Sequence, residues 1–255
     1  MLKQAYVFLA VIIMAAFSHA AFAVDAIETN AVETKAADEN DSDRIENTND
    51  LEHKILKLSG FLSLPQQVKF RAQFLTNNSV NRAQQFAIAT QLSKQWSQKV
   101  WKSRLLTLVQ GYSIEDKKAL LQQLEHPIFQ MSQIVEREAM SDLQGEAYSE
   151  YMVKLQRHQP TLLRSQMIAD LDSTSRFSEI MGLIQNKVIK ETQSIVLDWK
   201  PIESEGQSLQ KEVEGFLFYA YRKTPNAELK RIINQFKQLQ IQQFYLDTSN
   251  IIQRL

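Results

Sequence analysis

The chain of 255 residues contains no cysteine. That excludes disulfide staples, thiolate metal sites, a cysteine nucleophile and a lipidated N-terminal cysteine. Glycine and proline are scarce, at 6 and 5 residues. Sandwiches and barrels need turn residues about every 8–12 positions, so this chain lacks the punctuation for them. No alternation of apolar and polar residues lasts long enough to make a strand. Beyond residue 24 no apolar run reaches the roughly 20 residues that span a bilayer. No nucleophile elbow, P-loop or dinucleotide glycine pattern occurs. His53, His126 and His158 are not spaced as a zinc site would need.

What is present begins with an export signal. Lys3 supplies a positive start, residues 5–17 (AYVFLAVIIMAAF) carry no charge, and Ala21-Phe22-Ala23 offers small residues to a signal peptidase. Cleavage is expected between Ala23 and Val24, which in a Gram-negative cell gives a periplasmic protein. The alternative is an uncleaved inner-membrane anchor over residues 4–24. Ser18 and His19 interrupt that run.

Equal numbers of acids and bases, 29 each, hide a split. Residues 24–50 carry nine acids against Lys35 and Arg44 and hold no aromatic residue. Such a segment buries too little apolar area to offset the entropy of ordering, so it reads as a disordered acidic linker. Between His53 and Ile114 there are nine cations (Lys54, Lys57, Lys69, Arg71, Arg82, Lys94, Lys99, Lys102 and Arg104) and no acid. This stretch reads either as a basic surface for an anionic partner, screened by the acidic segment, or as a solvated helix face. Lys94, Lys99, Lys102 and Arg104 are the candidate anion-binding set. Phe70, Phe74, Trp96 and Trp101 read as core rather than stacking platforms, so no nucleic-acid partner is expected.

The periodicity is helical throughout. Leu51, Ile55 and Leu58 define a helix over 51–58 that stops before Gly60. Pro65 opens another, with Val68, Ala72 and Leu75 on one face, ending at 77–79. A long segment follows over 80–109, carrying Leu92, Trp96 and Val100, with room for one break. Ser113 caps a helix whose buried stripe is Leu120, Leu121 and Leu124. Pro127 ends or kinks it, and His126 reads as a C-terminal residue facing the helix dipole. Further helices are expected over 128–157, 161–171, 175–198, 208–221 and 226–255. Leu162, Met167, Leu171, Phe177, Ile180, Leu183 and Val188 are expected to point inward. A shift of 112 residues lays Ser113–Asp116 over Pro225–Glu228 and pairs Leu120 with Ile232, Leu121 with Ile233 and Leu124 with Phe236, a weak internal repeat.

Three stretches carry a family resemblance: Lys57-Leu-Ser-Gly60 with Leu64-Pro65-Gln-Gln-Val68, Tyr112–Pro127, and Tyr219–Phe236. They resemble the L-S-G…P-x-x-V opening and the S-x-x-E-L…S-P-x-G helix of exported, mostly proteobacterial proteins catalogued as a domain of unknown function. Phe129 stands where that family's glycine would follow Pro127, and Leu239-Gln240-Ile241 replaces the second S-P-x-G. The resemblance implies an exported helical domain and brings no activity or site residue.

Glu138, Asp142, Glu146 and Glu150 recur every four residues, which on a single helix makes an acidic stripe. Like charges at that spacing repel by about a few tenths of a kcal/mol per pair. The stripe reads as a cation or basic-peptide site, a partner for the basic stretch, or a solvated face. The aromatic run at Phe216, Phe218, Tyr219 and Tyr221 reads as a helix seam, or else as a homo-oligomer interface.

The expectation is therefore an all-α multi-helix bundle over 51–255, with halves at 51–159 and 160–255. Its expected role is non-catalytic, binding an anionic envelope component or another periplasmic protein without a metal or cofactor. A chaperone-like module with an apolar groove is the alternative, and an enzyme using the carboxylates a lesser one.

Overall fold

The computed structural model describes residues 48–77, 79–143, 145–201 and 208–255. The segment read as an export signal, the expected Ala23–Val24 junction and the acidic segment up to 47 lie outside the described residues. Among the described residues every regular element is a helix. None of these helices is long and apolar enough to cross a membrane.

Helix α1 covers Thr48–Leu58 and so takes in the last three residues of the segment read as disordered. Its apolar face explains the early start: Leu51, Ile55 and Leu56 are buried, and Asp50 lies in the positively charged first turn. Gly60 ends the run in a left-handed conformation (φ 79°) that a side chain would strain. A 3₁₀ turn over Phe61–Ser63 then leads into α2, Leu64–Thr76, with a proline in its first turn. Helix α3 is Arg82–Trp96, opened by a reciprocal pair in which Asn81 and Gln84 each accept the other's backbone N–H.

Two segments expected as single helices, 128–157 and 226–255, are broken, and the break left open within 80–109 is made. The 80–109 segment divides at Ser97, which is extended (ψ 149°) and whose hydroxyl accepts the Val100 N–H to start α4, Gln98–Gln110. Helix α5 is Ile114–Glu125. Helix α6, Pro127–Asp142, stops at a turn, and Gly145 caps α7, Glu146–Arg157. Helices α8, Leu162–Ser175, and α9, Phe177–Ile195, meet at Arg176, a non-glycine residue with φ 53°. Helix α10 is Leu209–Ala220, and the C-terminal segment divides into α11, Asn226–Phe236, and α12, Leu239–Arg254. Pro127 therefore separates two helices. His126 serves the second, its Nδ1 accepting the Ile128 N–H, rather than facing the dipole at the end of the first. Leu162 is 75% exposed instead of inward, because it is the first residue of α8 and lies off the stripe of Met167, Ile168 and Leu171.

The 112-residue repeat is built into the fold. Helix α11 starts at 226 against 114 for α5, and α12 spans 239–254 against 127–142 for α6. Packing follows the same relation: α1 lies on α5 as α8 lies on α11. The last helix of each unit is exchanged, so that α6 packs on α10 and α11 while α12 packs on α4 and α5. Two tyrosines mark the exchange. Tyr112 beyond α4 donates to Asp247 of α12 (2.7 Å), and Tyr221 at the end of α10 donates to Glu136 of α6 (2.6 Å). Gln123 and Gln235, which the repeat superposes, bond to each other (3.0 Å). The two halves share one apolar core. At its heart Trp101 donates its indole N–H to the Phe61 carbonyl (2.7 Å) and stacks on Trp96 (5.2 Å). Such pairs add about 0.5–1.5 kcal/mol beyond burial.

Candidate functional site

Helices α2 and α3 pack on each other and on α9, and the residues along their seam line a groove of about 860 Å³. Its floor is apolar: Val68, Ile88, Leu92 and Trp96, all buried. Phe86, on α3, lines the groove and is 76% exposed. That volume lies within the range of about 300–1,000 Å³ usual for small-molecule sites. Among the described residues on the lining the charged ones are Lys69 and Arg82, both exposed, and none is an acid.

The other cations of the basic stretch are spread differently. Lys94 is exposed on α3 and donates to Gln91 (2.8 Å), while Lys99 and Lys102 are exposed on α4. Arg104 is half-buried beside Ser103, Thr107, Leu108 and Ile251, and its Nη1 has no hydrogen-bond partner. None of these four lines the groove. Arg71 does not belong to a basic surface, because its side chain is 4% exposed. Its Nη1 donates to Glu212 of α10 (3.0 Å) and its Nη2 to Gln185 of α9. Burial pushes the Glu212 carboxyl upward, and the Arg71 charge opposes that shift.

The acidic stripe does not form, because α6 ends at Asp142 and α7 begins at Glu146, which puts Glu138 and Asp142 on one helix but Glu146 and Glu150 on the next. Asp142 accepts from the Tyr219 hydroxyl (2.9 Å) and faces Arg222 (3.5 Å), while Glu138, Glu146 and Glu150 are exposed. Phe216, Phe218, Tyr219 and Tyr221 are buried, with Tyr219 held edge-on between Tyr148 and Tyr151. Among the described residues no group of three His, Asp or Glu could hold a metal ion.

The carboxylate that matters is Glu136, one position outside that series. It lies on the stripe of α6 that carries Phe129, Ser132, Ala139 and Met140, all buried. It also borders a cavity of about 80 Å³ between the 3₁₀ turn, α6, α9 and α12. Burial raises its pKa from 4.5 to about 7, against the hydrogen bond from Tyr221, which lowers it. Burial and the Glu136 charge together raise Tyr221. A carboxyl whose folded pKa exceeds its unfolded value stabilises fully below the unfolded value. That contribution is lost as pH rises from about 4.5 to about 7. Glu136→Gln should remove it. In urea titrations, the stability of Glu136→Gln relative to wild type is expected to rise by on the order of 3 kcal/mol between pH 4 and pH 8. A pH-independent difference would contradict the assignment.

No family model matches the chain, and no curated protein or solved structure matches it either.

Proposed function

We propose that the protein is an exported, non-catalytic binding module of the bacterial cell envelope. Its ligand is an anionic amphiphile whose acyl chain lies in the α2–α3 groove and whose head group meets Lys69 and Arg82. The observation that carries this reading is the lining itself, an apolar floor edged by two cations with no acid among the described residues. Burying a chain there gains about 0.8 kcal/mol per methylene, and the cations select the charge of the head. The exposed Phe86 ring gains cover in the bound state. The export signal at residues 1–23 and the resemblance to exported helical proteins support an envelope location.

Calorimetric titration with dodecanoate below its micellar concentration tests the reading, with dodecanol as the uncharged control. Dodecanoate should bind and dodecanol bind more weakly. Lys69→Glu with Arg82→Glu should weaken dodecanoate by about tenfold, the two exposed charge contacts being worth up to about 1 kcal/mol each. Ala89→Trp, which fills the groove from an exposed position on α3, should abolish binding. If dodecanoate fails to bind while extended apolar peptides do, the groove is a chaperone-like peptide site and the proposal falls.

A further inference from the structure

The cavity beside Glu136 is separate from the α2–α3 groove and has a different lining. It is walled by aromatic rings. Phe61 meets Tyr245 edge-on at 4.7 Å, Tyr245 meets Phe236 at 5.9 Å, and Phe177 stacks on Phe216 at 5.6 Å. All five rings border the cavity, and Glu136 is the charged group on its lining. No Lys, Arg, His or second acid lies among the described residues that line it. The titratable groups facing Glu136 from the neighbouring helices are the phenols of Tyr221 on α10 and Tyr245 on α12. Gln67, Gln133, Glu136 and Phe177 are only half-buried, so the cavity reaches solvent between α2, α6 and α9.

A carboxylate enclosed by aromatic rings has one favoured kind of guest. The ring faces carry negative potential and attract a weakly hydrated cation, and the carboxylate supplies the counter-charge. An anion would be repelled by both. Beside the carboxylate the lining offers only neutral oxygens, from Ser59, Ser63, Gln67, Gln133 and Ser175, and among the described residues no group of three ionisable metal ligands forms. The space of about 80 Å³ exceeds the roughly 10–15 Å³ that one water needs, leaving room for a compact head but not for a long chain.

We propose that this cavity is a second ligand site that takes a small alkylammonium cation, a trimethylammonium head being the best fit, against the Glu136 carboxylate and the rings of Phe61, Phe236 and Tyr245. The site needs no contribution from the α2–α3 groove, and its occupation is linked to the charge on Glu136. Protonation of Glu136 removes the counter-charge, so binding strengthens as pH rises through 7.

Calorimetric titration of the full chain with choline, at pH 8.5 and at pH 5, tests the proposal. The uncharged isostere 3,3-dimethylbutan-1-ol serves as control. Choline should bind at pH 8.5, at least about tenfold more tightly than the alcohol and than choline itself at pH 5. Glu136→Gln should lose that preference for charge while unfolding at the same or a higher temperature, which separates loss of the site from loss of the fold. Lysophosphatidylcholine, titrated into the Ala89→Trp variant so that the groove is closed, distinguishes the source of the head group: binding of it in place of choline there, lost in Glu136→Gln, supports the same site with a lipid-borne ligand whose chain stays outside the cavity. Absence of binding by both at pH 8.5, equal binding of the alcohol, or unchanged choline binding in Glu136→Gln would overturn the proposal. Dodecanoate binding to the groove is read separately in the Ala89→Trp variant, so failure of one site does not report on the other.

Discussion

Replacing Arg71 by alanine is expected to destabilise the protein by about 3–5 kcal/mol, the usual cost of leaving one member of a buried ion pair alone. The Glu212 carboxylate would stay behind at 11% exposure with its partner removed, and Gln185 would lose the donor that ties α9 to α2. For a chain of this size that loss lowers the melting temperature by roughly 10 °C. The sign of a compensating change separates structure from ligand binding. Arg71→Met with Glu212→Leu should recover most of the loss, because a well-packed apolar pair often matches a buried salt bridge. Thermal and urea unfolding of the single and double variants measure both. An Arg71→Ala variant within about 1 kcal/mol of wild type would show that the cation is dispensable to the fold.

Cutting the chain between Gln159 and Pro160 is expected to leave two pieces that do not fold by themselves. Each lacks the helix that completes it. In 48–159, α6 would expose Phe129, which normally packs against Phe236 of the other half (5.4 Å). In 160–255, α12 would expose Tyr245, which normally packs against Phe61. The buried bonds Tyr112–Asp247 and Tyr221–Glu136 would both be severed. Each piece alone should show no cooperative unfolding transition, and mixing them should restore one. Cooperative unfolding of either piece in isolation would contradict the account of exchanged helices.

The helical class was legible because the apolar positions recur at helical spacing and the caps are written plainly: Ser113 accepts from Asp116 N–H, and Pro127 sits at the start of α6. The break at 237–238 was legible in principle. The repeat that superposes α5 on α11 carries the Pro127 boundary onto Leu239, so the end of one helix pair gives that of the other. The break at Ser97 fell within the room left in the 80–109 segment, and the one after Asp142 had an unread signal in Gly145, which caps α7. Charge counting found the basic stretch but could not tell Arg71 from Lys69. The two are separated by half a helical turn, and one faces α10 while the other faces the groove. The acidic series hid Glu136 because like spacing drew attention to Glu138. The better signal was a carboxylate on the apolar stripe of Phe129, Ser132, Ala139 and Met140. The groove itself had no sequence signature, because it exists only once α2 and α3 pack together on α9.

The groove as a chain-binding site is the central claim, and the protein carries its own reporter for it. Trp96 lines the groove and stacks on Trp101, and the chain has three tryptophans in all. Bromine atoms quench indole fluorescence at contact. Titration with a mid-chain dibrominated fatty acid should therefore extinguish a large part of the emission, while the same acid without bromine leaves it nearly unchanged. Equal emission with the two acids, at concentrations where calorimetry shows both bound, would place the chain away from Trp96 and contradict the account.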